Sequence, residues 1–434
     1  MHMRHVVFVL VTALVAPVCA ETPGVLAVRN ARIFTASGPA MERGTVVVRD
    51  GLIEAVGANV PVPADAWVIE GAGLTVYPGF TNALSAWGIP RQADTAPPGR
   101  RPVAAPLGPV ARGPEDRPLN TSWVTAQELV QPGDPSIERA RSGGFTSAVV
   151  FPGAGIFAGQ GAWMNLAGEK AGHMVVASPL GQHLTLRTSG FTSFPGSLMG
   201  VFAYIRQVYL DADYYKASRE IYAKEPRGMK RVDYDRALEG VLAAPRVLLP
   251  AVTKVELERM VRFGAELKRP VVLYGGHDAA RAMEAVKASG FPVLVNLQWP
   301  ERPRQADPAQ EDSLRTLELR EAAPAAPAAL AKAGVKFAFY TGGLEKPQEI
   351  RAAAKKAVDA GLSREEAVRA LTLSVAEIYG VADRAGSIEP GKIANLTIVD
   401  GDWFQERAKV RAVIVDGVKY EPAAEAEKKE EPAK

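Results

Sequence analysis

The stretch VYPGFTNALSAWG, from Val76 to Gly88, separates two kinds of sequence pattern. The residues before it form short β-type runs joined by turns, whereas the residues after it alternate strand-like and helix-like segments. A chain that changes its hydrophobic period in this way passes from one architecture into another. We therefore predict that this stretch is the hinge of the fold, and that the chemistry of the protein lies there.

The segments at the two chain ends predict strands of one small domain. Apolar runs flank Asp50-Gly51, a two-residue turn that favours a β-hairpin because both positions need positive φ. The same strand pattern returns near the other end in ANLTIVD, from Ala394 to Asp400. Because a large body separates these strands, we predict a β-sandwich domain composed of residues 24–77 and 384–420.

The body of the chain, residues 78–383, repeats a strand-then-helix order. Pro347–Ala360 has a clear helical pattern, and Ser363 with Glu366 forms a capping box that begins the next helix. Strand-like runs are found at Thr146–Phe151, Met174–Ala177, Val247–Leu249, Pro270–Tyr274, Pro292–Leu297 and Lys336–Tyr340. This alternation is typical of α/β proteins with a parallel sheet, and the length favours a (β/α)8 barrel of the TIM type.

Charge and composition narrow the class of partner. The 434 residues are 47% hydrophobic, which is enough for a large core. The 51 basic and 48 acidic residues give a net charge of only +3, so the chain lacks the basic excess of a nucleic-acid-binding protein. Small molecules or other proteins are the expected partners.

The first 20 residues have the pattern of a secretory signal. Arg4 precedes an apolar run from Val6 to Ala16, and small residues precede a cut after Ala20. The run is too short for a stable membrane span, and no later run approaches about 20 apolar residues. We expect a periplasmic or secreted protein without its only cysteine, Cys19, although lipidation of that cysteine is an alternative.

Two segments lie outside the repeating pattern. Residues 89–118 are rich in Pro, Arg and Gly without periodicity, which predicts a long loop over one barrel end. It is either a lid, a partner contact or an unstructured insertion. Residues 421–434 (EPAAEAEKKEEPAK) are highly charged, and we expect them to form a disordered, solvated tail.

Taken in order, these features resemble the amidohydrolase superfamily, in particular its exported imidazolonepropionase-like and dipeptidase-like members. The likeness rests on VYPGF at the barrel entry, on RAGSIEPGKIANLTIVDGD from Arg384 to Asp402, and on ALTLSVAEIYGV from Ala370 to Val381. It implies a hydrolase of C–N bonds in amides, cyclic amides or dipeptides. It also implies His, Asp and Glu or modified Lys ligands for zinc or another divalent metal at the strand ends.

This sequence departs from that pattern at the positions the resemblance assigns to metal binding. A His-x-His pair would follow the first barrel strand, where Leu84 and Ala86 stand. Ligands in the middle strands are replaced by Pro250 and Tyr274, and the Asp of the last strand is replaced by Gly342. None of these groups is a ligand that zinc prefers. We therefore expect no metal cofactor.

The remaining titratable residues do not suggest a rebuilt metal site. His173 is expected to be exposed, His183 to face the barrel mouth, and His277 to lie on the surface or at a helix start. Their scattered positions argue against a three-histidine centre. Tyr274, His183 and His277 are the only candidates we name for catalysis.

Two functional hypotheses follow. In the first, the chain is a catalytically degenerate, metal-free amidohydrolase homologue that serves as a periplasmic binding or assembly subunit. It would bind a small molecule at the barrel mouth and associate with itself or with a metal-bearing paralogue. In the second, it is an active hydrolase with a non-standard site.

Overall fold

The structure is a computed structural model that describes residues 24–90, 113–190, 192–303, 305–307, 309 and 311–422. The predicted signal sequence, most of the Pro-rich loop and the tail after Pro422 lie outside these residues, so predictions about them stay predictions. Within the described ranges, no helix is long and apolar enough to cross a membrane.

The strands, in chain order, are β1 (Val25–Ile33), β2 (Met41–Arg49), β3 (Leu52–Gly57), β4 (Trp67–Glu70), β5 (Leu74–Pro78), β6 (Phe80–Ser85), β7 (Phe145–Val150), β8 (Phe157–Gln160), β9 (Ala162–Asn165), β10 (Val175–Ala177), β11 (Gln182–Leu184), β12 (Val247–Ala251), β13 (Val271–Gly275), β14 (Val293–Asn296), β15 (Phe337–Tyr340), β16 (Leu396–Asp400), β17 (Lys409–Val415) and β18 (Val418–Tyr420).

The helices are α1 (Ala126–Leu129), α2 (Pro135–Ser142), α3 (Ala171–Met174), α4 (Leu198–Lys224), α5 (Arg236–Ala243), α6 (Lys254–Leu267), α7 (Met283–Ser289), α8 (Leu314–Ala322), α9 (Ala326–Ala333), α10 (Pro347–Asp359), α11 (Arg364–Ala370) and α12 (Leu373–Tyr379). Two short 3-10 turns cover Pro114–Asp116 and Ala323–Ala325.

Strands from both chain ends pair in one eight-stranded sheet. Its order is β18-β17-β16-β5-β1-β2-β3, and β4 pairs with β1. The chain ends meet where β5 lies antiparallel to β16, with Tyr77 opposite Thr397. Asp50 and Gly51 have φ of +50° and +79°, so the predicted hairpin turn between β2 and β3 is present.

The predicted hinge is the junction between this sheet and the barrel. β5 ends at Pro78 and β6 begins at Phe80, so Gly79 alone links them. A Cβ atom at Gly79 would lie 1.9 Å from Oγ1 of Thr146 on β7, a distance that no side chain tolerates. The amide of Gly79 donates to the Asn395 carbonyl at 2.8 Å, which ties the hinge to the returning chain. Glycine is required here because the two architectures pack directly against each other.

The body forms a barrel of the TIM type, as the alternating pattern predicts. β6 pairs in parallel with β7, and β11 to β15 form a second parallel series in chain order. Apolar side chains from successive strands fill the interior, including those of Val149, Leu248, Val272, Leu294 and Ala338. These strands carry β-branched and other apolar residues on both faces because helices cover the outside. The barrel is therefore packed through its centre.

Residues 157–177 depart from the regular repeat. β8 pairs antiparallel with β11, and β9 lies antiparallel to both β7 and β10. The strand-like run Met174–Ala177, predicted as a barrel unit, includes β10, whose ladder partner is β9. The predicted eight regular units are therefore interrupted between β7 and β11, because an antiparallel excursion occupies that part of the wall.

Candidate functional site

The carboxyl ends of the parallel strands define the barrel mouth, the place where TIM-barrel sites are built. Four aromatic rings lie there, contributed by Phe151 after β7, His183 in β11, Tyr274 in β13 and Tyr340 at the end of β15. Ring centroids are 5.7 Å apart for Phe151 and His183, 5.3 Å for His183 and Tyr274, and 6.5 Å for Tyr274 and Tyr340. We refer to these four residues as the mouth cluster. Its edge-to-face geometry stabilises the rings in fixed positions.

The two tyrosines of the mouth cluster are neutral groups. The hydroxyl of Tyr274 donates to the Leu184 carbonyl at 2.9 Å, which links β13 to β11. Burial raises the pKa of Tyr274 above its ordinary range. Burial, followed by the neighbouring Tyr274, likewise raises the pKa of Tyr340. Neither phenol supplies the negative charge that a divalent metal needs from its ligands.

His183 belongs to the mouth cluster and is held by the backbone. Its Nδ1 lies 3.0 Å from the Pro152 carbonyl oxygen. A carbonyl only accepts, so this bond assigns the proton to Nδ1 and leaves Nε2 as the acceptor nitrogen. Burial lowers the pKa of His183, against a smaller opposing effect of the Pro152 carbonyl. The imidazole is therefore neutral at pH 7.

His277 is not the surface residue that its sequence context predicts. It follows β13, is only 5% exposed, and packs against Trp299 with ring centroids 5.7 Å apart. Its Nε2 donates to the carbonyl oxygen of Asn296 at 2.9 Å, so Nδ1 is the acceptor nitrogen. Burial lowers the pKa of His277. The sequence prediction was wrong because the loop after β13 turns inward over β14. His173, by contrast, is exposed in α3, as expected.

Asn82 and Thr341 join the first and last barrel strands at the same end of the barrel. Asn82 lies in β6 and Thr341 follows β15, and both are almost fully buried. The Asn82 amide donates to Thr341 Oγ1 at 2.9 Å, and the Thr341 backbone amide donates back to Asn82 Oδ1 at 3.1 Å. Asn82 is a polar residue of the stretch Val76 to Gly88, whereas no sequence pattern marks Thr341.

Asn296 is a further residue of the site that no sequence pattern marks. It ends β14, opposite Tyr340 in the parallel register, and its Oδ1 accepts from the amide of Gln298 at 2.8 Å. A Cβ atom at Gly342 would lie 1.8 Å from the same oxygen, and Gly342 has φ of +68°. Asn296 therefore occupies the space that a side chain at position 342 would need. Its place at the end of a buried apolar strand was the available signal.

The other positions that the resemblance assigns to metal ligands have side chains without metal-binding atoms. Leu84 is partly buried against the barrel interior, and Ala86 is exposed just beyond β6. Pro250 lies in β12 directly opposite Tyr274 of β13. Across the parts of the chain that the structure describes, no group of three or more His, Cys, Asp or Glu side chains is arranged to hold a metal ion. The donor set at the mouth does not fit the divalent metal that the resemblance implies.

Two surface cavities lie elsewhere on the molecule. One, of about 1110 Å³, runs between α4 and α5 and is lined by residues that include Tyr215, Arg219 and Tyr234. The other, of about 640 Å³, lies at the end sheet beside Arg32 and Asp402. None of the mouth cluster lines either cavity.

Comparison with known proteins agrees with the barrel fold. Residues 251–419 match the sequence model of the amidohydrolase family. An amidohydrolase from Thermotoga maritima MSB8 superposes with a TM-score of 0.72 and 25% identity, covering 92% of this chain and 100% of that one. A comparison with curated protein sequences found no significant match.

Two further structures share the fold at lower identity. A prolidase complexed with N-methylphosphonate-L-proline superposes with a TM-score of 0.53 and 16% identity, covering 92% of this chain and 100% of that one. Phenylurea hydrolase B superposes with a TM-score of 0.52 and 18% identity, covering 91% of this chain and 96% of that one.

Proposed function

Because this chain is a member of the amidohydrolase superfamily, we propose that it is a catalytically degenerate one, which binds a small molecule at the barrel mouth or acts as an assembly subunit. The observation that carries the proposal is the neutral chemistry of the strand ends. Leu84 and Pro250 lack donor atoms, the Tyr274 hydroxyl is bonded to a backbone carbonyl, and Asn296 fills the space beside Gly342.

The neutral residues that make the barrel mouth unsuitable for a metal ion make it suitable for binding a small molecule. The half-buried rings of His183 and Tyr274 offer apolar surface, and the half-buried side chain of Asn296 adds neutral polar atoms. Sites for small molecules commonly combine aromatic walls with a few fixed polar groups. We propose that the ligand is small, and that the protein acts in the periplasm or outside the cell after removal of residues 1–20. Mass measurement of the exported protein tests that cut.

Metal analysis and activity assays test the proposal together. Purified mature protein is dialysed against chelator, reloaded with zinc, manganese or iron, dialysed again, and analysed for bound metal. The variant Leu84→His/Ala86→His, which restores the missing donor pair, provides the matched control. We expect substoichiometric metal in the wild type and no hydrolysis of dipeptides or cyclic amides. Metal that stays at one equivalent or more would refute the degenerate assignment.

A second candidate function is hydrolysis at a non-standard site, and the orientation of His183 favours it. The Pro152 carbonyl fixes the tautomer that presents Nε2 as a base, next to the Tyr274 ring. In this case the variant His183→Gln would lose turnover while retaining its fold, and His173→Gln, on an exposed helix, would be unaffected. If no amide substrate is turned over by the wild type, this candidate is rejected.

We also propose that the end sheet folds over as a β-sandwich. A Cβ atom at Gly417, in the β17–β18 turn, would lie 2.6 Å from Cα of Gly51, in the β2–β3 turn. The turns at opposite ends of the sheet order therefore approach each other. Between them lie the side chains of a shared apolar cluster that includes Leu26, Val48 and Ile414.

A further inference from the structure

Helix α4 is apolar on two sides. Its inner side buries seven residues against the rest of the protein, namely Val201, Tyr204, Ile205, Val208, Tyr209, Ala212 and Tyr215. Its outer side exposes Leu210 by 63%, Tyr214 by 76% and Ile221 by 55%. A surface helix needs only one apolar side to pack on its own domain. The outer side therefore calls for a separate explanation.

Exposed apolar side chains are concentrated around this helix. Of the 13 large hydrophobic residues that are exposed in the described parts of the chain, seven fall between Leu198 and Tyr234. They are Leu198, Met199, Leu210, Tyr214, Ile221, Met229 and Tyr234. Single exposed apolar residues are ordinary, whereas a local concentration marks a surface that binds a partner.

The outer side has the spacing of a helix-packing seam. Gln207, Leu210, Tyr214, Ala217 and Ile221 follow one another at alternating steps of three and four residues. We call these five residues the outer stripe of α4. This spacing aligns side chains along one line of a helix, and the stripe extends over about 21 Å at 1.5 Å per residue. The partner that fits such a line is another helix.

We propose that the partner is α4 of a second copy of this chain, paired antiparallel about a two-fold axis beside Tyr214. When two copies are related by that axis, the side chains of one outer stripe match those of the other in size. Leu210 of one copy faces Ala217 of the other, so a large side chain meets a small one at both symmetry-related places. Gln207 and Ile221 face each other at the ends. A two-fold interface requires a surface of this self-complementary kind.

The flanking charges are complementary in the antiparallel arrangement. Arg206, Asp213 and Glu220 are spaced seven residues apart and lie on the same flank of the outer stripe. Antiparallel pairing places Arg206 opposite Glu220 of the second copy twice. Asp213, near the axis, forms an ion pair with Arg269, which offsets repulsion between the two copies.

The existing partner of Arg206 does not prevent this contact. Arg206 lies 2.7 Å from Glu266, but both side chains are about half exposed. An exposed ion pair of this kind contributes little stability, so the guanidinium is able to share its donors with a second carboxylate. The inference is independent of the proposed function, because dimerisation through α4 does not depend on whether the barrel mouth is catalytic.

Light scattering coupled to size-exclusion chromatography tests the proposal on the mature protein. We expect the wild type to elute as a dimer, and Leu210→Glu to weaken dimerisation by about 30-fold or more, as expected for an interface anchor. The matched control is Leu314→Glu, since Leu314 is 73% exposed on α8, outside the outer stripe. A monomeric wild type, or equal effects of the two substitutions, would overturn the proposal.

Two further variants test the register. Arg206→Glu and Glu220→Arg should each weaken the dimer, and the double swap should restore it. In the mature protein, which lacks Cys19 after the proposed cut, Tyr214→Cys should form a disulfide between copies because it lies beside the axis, whereas Leu314→Cys should not. A dimer that persists without this cross-link uses another face, which would also refute the α4 interface.

Discussion

Asn82 of the first barrel strand and Thr341 after the last one are joined by two reciprocal hydrogen bonds. They are separated by 259 residues in sequence, and both are buried. The ladder of described strands shows no backbone pairing between β6 and β15, so this pair supplies a polar contact across that seam. The two residues lie beside positions 84 and 342, where the superfamily resemblance places metal ligands.

The Asn82–Thr341 pair is expected to stabilise the barrel cooperatively. Asn82→Ala removes both bonds and leaves the buried amide of Thr341 without its acceptor, at a cost of about 1–3 kcal/mol in the free energy of unfolding. Thr341→Val removes only the hydroxyl acceptor and should cost less. Urea denaturation of the wild type, both single variants and the double variant completes a double-mutant cycle, which measures the interaction energy between the two side chains. Additive losses would show that the two side chains do not interact.

Gly342 is expected to reject any side chain because Asn296 occupies the adjacent space. Gly342→Ala should destabilise the fold by about 1–3 kcal/mol beyond the strain of its positive φ. Gly334→Ala is the matched control, since Gly334 has φ of +71° and no atom within 4 Å of the added Cβ. Thermal or urea unfolding measures both. Equal losses for the two variants would contradict a steric block by Asn296 at position 342.

Gly79, at the hinge, should likewise not tolerate a side chain. Gly79→Ala brings a methyl group within 1.9 Å of Thr146 Oγ1, and we expect a loss of at least about 2 kcal/mol. Thr146→Gly should relieve part of that loss when combined with Gly79→Ala. Gly133→Ala, with nothing within 4 Å of its added Cβ, is the control. Wild-type stability in Gly79→Ala would contradict direct packing between the end sheet and the barrel.

The buried histidines should make stability depend on pH. Burial lowers the pKa of His183 and of His277 below the unfolded value of about 6.5. Between the folded and unfolded pKa values the unfolded chain binds more protons, so stability is fully present above about pH 6.5 and falls as pH drops. The slope is at most about 1.4 kcal/mol per pH unit for each histidine.

Urea melts between pH 5.5 and 8 measure this slope. His183→Gln and His277→Gln should each flatten the curve relative to wild type, because each removes one group that titrates differently in the two states. His173→Gln, at an exposed position in α3, is the matched control. A slope that is the same in all three variants would place the pH dependence elsewhere in the protein.

The sequence alone determined the hairpin turn of the end sheet and the residues that stand at positions 84, 86 and 342. The turn Asp50-Gly51 needs positive φ at both residues, and that requirement is local, so the hairpin was predictable. That Leu84, Ala86 and Gly342 stand where the resemblance implies metal ligands is likewise visible in the residues themselves. Patterns of this kind depend on neighbours a few positions away, which is why they survive without knowledge of the fold.

Tertiary structure alone decided which groups meet. His277 became a buried donor to Asn296, and Asn296 occupied the space beside Gly342, because β13, β14 and β15 lie side by side in the sheet. Which side of α4 faces the core is likewise fixed by packing, since that helix is apolar on two sides. Contacts across tens to hundreds of residues leave no periodic trace in sequence, and the pairing of Asn82 with Thr341 is the clearest case.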